Sequence, residues 1–248
     1  MRWFLFCFMY MGWLAAGAQH RYYVPMSIHQ PALSNQYDGS IGVGVANGID
    51  FEALELQAVF SPFKKLAIMG NYLNKGDEKV RNRTATGFDL DTWELALGTY
   101  FTYNQANKRV FGSIFGGYGS GKVLNTYLAR KTSQLEFSRI FIQPGLFWDG
   151  RYLFTKIALK FYYLQFNKGN VDFGIESEDL TIIQTIEKST PSLSNEMLLS
   201  IGVRMGAVQL AGNMTTINPK IEGLNFSRVN FSLGLSFDIG EWRLKKKK

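Results

Sequence analysis

The chain has 248 residues, a formal net charge of +7 and a pI near 9.4, with 19% charged and 15% aromatic residues. The charged share lies below the roughly 25% of soluble domains, and the basic residues are scattered singly apart from Lys245 to Lys248, which argues against a nucleic-acid binder. The one cysteine, Cys7, falls within the first eighteen residues, so a disulfide-stapled fold is excluded.

Residues 1–18 read as a signal peptide. Arg2 is the positive start, Trp3 to Leu14 is nearly all apolar, and Ala16-Gly17-Ala18 is a small-residue cleavage site. The mature chain is expected to begin at Gln19. Residues 19–38 then form a segment expected to lie in the periplasm ahead of the fold.

Period-two alternation follows, and no later apolar run is long enough for a membrane helix of about 20 residues. Strands are expected at 39–47, 51–60, 65–74, 88–104, 109–119, 136–148, 152–166, 195–206, 208–217 and 226–239, ten in all. On the fourth, Trp93, Leu95, Leu97, Phe101 and Tyr103 alternate with Glu94, Ala96, Gly98, Tyr100 and Thr102. On the seventh, Ile157, Leu159, Phe161 and Tyr163 alternate with Lys156, Ala158, Lys160 and Tyr162. On the eighth, Met197, Leu199, Ile201, Val203 and Met205 alternate with Glu196, Ser200, Gly202 and Arg204, Leu198 being an exception. On the tenth, Val229, Phe231, Leu233, Leu235 and Phe237 alternate with Arg228, Asn230, Ser232, Gly234, Ser236 and Asp238.

Tight links at Ser61–Lys64, Asn104–Lys108, Asp149-Gly150 and Gly206-Ala207 alternate with longer polar ones at 75–87, 122–134, 167–192 and 218–225. An even strand count with short turns at one end and long loops at the other is the layout of an outer-membrane barrel. The polar face supports this. It is rich in Gly42, Gly44, Ala46, Gly234 and similar small residues, which suit a cramped lumen rather than a solvated surface. A slip of one residue would put Lys156 and Lys160 in lipid at a cost of about 2–4 kcal/mol each near the midplane. The apolar stripes, including Leu95, Leu97, Ile157, Leu159, Leu199, Ile201, Val203, Phe231, Leu233 and Leu235, are therefore expected to face lipid.

The runs Tyr23-Val-Pro25, Gly39-Ser-Ile-Gly-Val-Gly-Val45, Leu56-Gln-Ala-Val-Phe-Ser-Pro62, Leu66-Ala-Ile-Met-Gly-Asn-Tyr72, Phe115-Gly-Gly-Tyr-Gly-Ser-Gly-Lys122 and Phe141-Ile-Gln-Pro144 resemble small outer-membrane β-barrel proteins common in the Bacteroidota. The resemblance covers most of the mature chain and implies fold and location, with no established reaction. The chain departs from that pattern at its end: Phe237 is followed by Asp238 to Lys248, whereas such barrels commonly finish on an aromatic residue.

The inward face is expected to carry Glu55, Glu94, Glu196 and Asp238 together with Arg139, Lys156, Lys160, Arg204 and Arg228. Opposite charges in a narrow low-dielectric tube must pair or hydrate, so a lumen-filling salt-bridge network is expected. Side chains fill eight-stranded barrels, and open channels belong to barrels of about sixteen strands, so ten leave little bore. The only histidines, His20 and His29, precede the first strand, which disfavours a histidine-dependent hydrolase and any enzyme reading. Asp172, Glu176, Glu178 and Asp179 lack the spacing of a calcium loop, and Leu180 to Ile186 is expected to extend a hairpin above the membrane. No cofactor or metal is expected.

The sequence thus reads as an antiparallel up-and-down transmembrane β-barrel over 39–239, followed by a basic tail over 240–248. The expected role is structural or interactive, with outer-membrane lipid and an outer-membrane or periplasmic protein as partners. A narrow channel for ions or small solutes is the alternative. A soluble exported ligand-binding barrel is a third reading.

Overall fold

In the computed structural model, residues 23, 26–48, 51–83, 86–105, 108–127, 130–150, 152–167, 169–172, 180–181, 183–185, 192–218 and 229–240 are described. The strands are β1 (Gly39–Gly48), β2 (Phe51–Phe63), β3 (Leu66–Lys75), β4 (Gly87–Gln105), β5 (Lys108–Thr126), β6 (Thr132–Asp149), β7 (Leu153–Phe166), β8 (Asn170–Val171), β9 (Ser192–Met205), β10 (Val208–Asn218) and β11 (Val229–Asp238). A short helix, α1 (Glu78–Arg81), lies between β3 and β4.

Ten of these strands close into one antiparallel barrel. The ladder runs β5-β4-β3-β2-β1-β11-β10-β9-β7-β6, and β5 pairs with β6. The first and last strands meet at Ile41↔Phe237, Val43↔Leu235 and Val45↔Leu233, so no edge is left open. The two-residue β8 only adds to the long-loop end of β6.

The alternation sets the two faces of the wall. Leu95, Leu97, Ile157, Leu159, Ile201, Val203, Leu233 and Leu235 are exposed on the outside, with Leu199 and Phe231 partly exposed beside them. Outward aromatic residues lie at both margins of this apolar belt. On β4 they are Trp93, whose ring is 5.7 Å from that of Tyr118, and Tyr103. Ten residues separate Trp93 from Tyr103, which at about 3.3 Å per residue and a tilt of about 40° gives roughly 25 Å, the height of an outer-membrane apolar band.

The structure departs from the sequence reading in three places. β5 and β6 are 19 and 18 residues long, and their ladder continues through Lys122↔Glu136 and Thr126↔Thr132. Most of the link expected at 122–134 is therefore strand. Outward Ser120, Lys122 and Glu136 lie above the apolar belt, where the hydrophobic signal that marks a strand fades.

Residues 180–181 and 183–185 are helical rather than a hairpin extension. Ile183 is buried in a lumen cluster with Phe137, Leu164 and Phe166, because its apolar side chain gains more there than above the barrel.

The largest departure concerns the segment expected to lie in the periplasm. Tyr23 and residues 26–33 are within the barrel, and Tyr23, Met26 and Leu33 belong to its main core cluster.

Candidate functional site in the plugged lumen

The N-terminal segment descends the lumen from the long-loop end toward the turn end, and its partners mark the path. The Tyr23 hydroxyl donates to Glu196 Oε1 at 3.0 Å. Ser27 N–H donates to Glu55 Oε1 at 2.8 Å, and its hydroxyl lies 3.0 Å from that of Ser232. The His29 carbonyl accepts from Gln143 at 2.7 Å, and the Leu33 carbonyl accepts from Thr102 at 3.2 Å. Asp38 then turns the chain into β1, its carboxylate accepting from the Ser34 and Asn35 N–H groups at 3.0 and 2.8 Å. An extended segment inside a barrel cannot join the wall ladder, so wall side chains satisfy its backbone instead. Leu198, the exception to the alternation, packs inward against Ile28 of this segment.

Around Tyr23 lies the main charge cluster. Glu94 on β4 receives Arg139 Nη2 at 2.7 Å, Lys160 Nζ at 2.9 Å and Asn71 Nδ2 at 3.0 Å. Arg139 Nη1 lies 3.6 Å from Glu196 Oε1 and also donates to the Tyr23 hydroxyl. The guanidinium sits 5.6 and 5.8 Å from the ring centroids of Tyr23 and Tyr162, and Lys160 Nζ lies 4.9 Å from that of Phe141. Each of these four charged side chains is at most 1% exposed. At such burial each charge needs both a partner and hydrogen bonds; the cluster gives every charge an opposite partner but leaves Arg139 Nε and Glu196 Oε2 without a hydrogen bond.

A second cluster lies at the turn end. Arg204 Nε approaches Asp149 Oδ1 at 3.3 Å, and its Nη1 approaches Asp238 Oδ2 at 3.8 Å. Phe147 and Phe154 stack beside it with centroids 5.3 Å apart.

Of the nine lumen charges expected from sequence, Glu94, Arg139, Lys160 and Glu196 meet in one cluster, and Arg204 meets Asp238 in the other. Glu55 is held by the segment, and Lys156 lies over the Phe147 and Phe154 rings at 5.2 and 5.1 Å. Arg228 lies outside the described residues, as do Glu176, Glu178, Asp179 and Lys245 to Lys248. Asp172 is described and binds Thr132 and Arg83. Among the described residues no group of three His, Cys, Asp or Glu is placed to hold a metal.

Sequence reasoning missed Asp149, read as a turn residue, although it continues the inward parity of Gln143 and Phe147. It also missed Tyr23, Ser27, His29 and Gln30. Proline, histidine and polar residues with no strand period gave no sign that this stretch is core.

No protein-family model matches the chain, and no curated protein matches it. Among solved structures it is similar to the N-terminal β-barrel domain of Pseudomonas aeruginosa OprF, at 10% identity, with 82% of this chain and 100% of that chain covered and a TM-score of 0.36. It is also similar to OmpT, an outer membrane protein of Vibrio cholerae, at 6% identity, 82% and 96% coverage and a TM-score of 0.25. Likenesses this loose carry nothing about function.

Proposed function

We propose that the chain is an outer-membrane β-barrel closed by its own N-terminal segment, with a structural or interaction role. It serves as a surface-exposed barrel or as an accessory subunit of an outer-membrane assembly. The observation that carries this reading is the placement of Tyr23 and residues 26–33 in the lumen, with Tyr23 seated between Arg139 and Glu196. A conducting pore needs hydrated space along its axis, and this axis is occupied by backbone and fixed ion pairs. The exposed apolar belt between two aromatic margins supports lipid as its surroundings. Its resemblance to small Bacteroidota barrels agrees with that location. His29 is enclosed between the segment and the wall, away from any rim where a substrate would dock, which supports a role without catalysis.

Two measurements test this. Cell fractionation should recover the mature chain in the outer membrane, with heat-modifiable migration on gels. Recovery in the soluble periplasm would reject the membrane reading. In planar bilayers the purified barrel should pass no resolved current. A steady ohmic conductance would replace the plugged barrel by the narrow channel.

A further inference from the structure

Where β1, β2, β10 and β11 face residues 28–30, the wall combines the small residues Gly42, Gly44, Ser232 and Gly234 with the amides of Gln57 and Asn213. The small residues stop short of the segment, leaving a cavity of about 40 Å³. That volume suits about three waters or one small ion.

Two charged side chains line it. Glu55, on the β2 side, is 2% exposed, and its Oε1 is held by Ser27 N–H. Lys156 enters from β7 and is partly buried, with the faces of Phe147 and Phe154 beside its ammonium. Among the described residues no carboxylate oxygen lies within 4.0 Å of Lys156 Nζ, since the nearby acids Asp149 and Asp238 are both engaged by Arg204. A partly buried ammonium with no carboxylate in contact loses hydration that ring faces replace only in part.

The segment adds unused polar groups to the same cavity. Gln30 is 1% exposed. Its Oε1 accepts from Ser113 Oγ at 3.2 Å, which leaves Nε2 as a buried donor without an acceptor. His29 is 5% exposed and its Nδ1 has no partner. Buried donors gathered beside an unpaired ammonium are the chemistry of anion binding. Glu55, at the other side, repels a second negative charge and confines the site to a single monovalent ion.

We propose that this cavity binds one small monovalent anion, of the size of chloride, nitrate or formate, held by Lys156 Nζ and Gln30 Nε2. Sulfate is excluded by its second charge and gluconate by its length. The site needs the plug in place, because His29 and Gln30 belong to it.

The test uses the mature chain folded in detergent, with its melting temperature followed at constant ionic strength as sodium gluconate is exchanged for chloride, nitrate, formate or sulfate. The three small anions should each raise Tm in a saturable way, as ligands of the folded state do, and sulfate should not. Lys156→Gln should abolish the response. Gln30→Leu should weaken the apparent affinity at least about tenfold, the value of a lost charge-assisted hydrogen bond. A saturable rise shared by sulfate, or one that survives Lys156→Gln, would overturn the proposal. Should Lys156→Gln fail to fold, Gln30→Leu and a bromide-soaked crystal decide: anomalous density beside Lys156 Nζ supports the site, and water alone there rejects it. A silent bilayer with no anion response rejects this site while leaving the plugged barrel standing, and a conducting bilayer rejects the plug itself.

Discussion

Gly119 of β5 stands directly opposite Arg139 of β6, and a Cβ at Gly119 would lie 2.9 Å from Glu94 Cγ and 3.4 Å from Arg139 Nε. The same pattern repeats one step to each side, where Gly117 faces Phe141 and Gly121 faces Phe137. The inward glycines of β5 thus hollow the wall so that three large side chains of β6 can cross the lumen. Gly119→Ala should therefore overpack the charge cluster and cost about 1–3 kcal/mol. Gly116→Ala, on the outer face with its nearest neighbour 3.9 Å away, should be neutral or slightly stabilising. Urea unfolding midpoints of the two variants in the same micelle check the contrast.

The charge cluster should respond unequally to loss of its two cations. Arg139→Met takes the guanidinium from Glu196, which keeps the Tyr23 hydroxyl and Lys160 opposite it on β7, and strips one cation from Glu94, so it should cost about 3–5 kcal/mol, reduced by whatever water enters. Lys160→Met should cost less, because Glu94 keeps Arg139 at 2.7 Å. Neither should produce a bilayer current. Comparable destabilisation by the two would refute the bridging role of Arg139.

Single faces of β9 and β11 can be tested separately. Leu233→Arg or Ile201→Arg should impair assembly by about 2–4 kcal/mol if the side chains meet lipid near the midplane. Cysteines introduced singly at Phe231, Ser232 and Leu233 should label unequally with a membrane-impermeant thiol reagent, and equal labelling would contradict the alternation.

The position of the plug has a covalent test. Ser27 Oγ and Ser232 Oγ are 3.0 Å apart, so Ser27→Cys combined with Ser232→Cys should close a disulfide on mild oxidation of the folded chain. Peptide mapping would find the N-terminal segment linked to β11. Persistence of two free thiols in the folded barrel would place the segment elsewhere.

Outside the barrel wall, Asp172 ties the long loop to β6. Hydrogen bonds from the Thr132 hydroxyl and N–H, at 2.8 and 2.9 Å, with Arg83 nearby, hold its carboxyl below the usual aspartate range. A lowered folded-state value means that the tie is fully present above the ordinary carboxylate range of about 4 and is lost as pH falls through the lowered value. Protease nicking of the long loop should increase in that acid window. Asp172→Asn should show the increased nicking already at neutral pH and remove its pH dependence.

Strand period, face and closure were legible in the sequence because a two-residue repeat leaves only two choices of face, and a lysine in lipid penalises one of them. Leu95, Ile201 and Leu233 outside and Glu94, Lys160 and Glu196 inside follow from that alone. Which charges meet was not legible. Glu94 and Lys160 lie 66 positions apart on non-adjacent strands and touch only across the lumen, so their contact depends on barrel circumference and stagger. The plug was hidden for a different reason. A segment that crosses a lumen has core on every side and no sheet of its own, so its residues carry no period. Whether Tyr23 lies in the periplasm or between Arg139 and Glu196 depends on space that only the closed barrel defines.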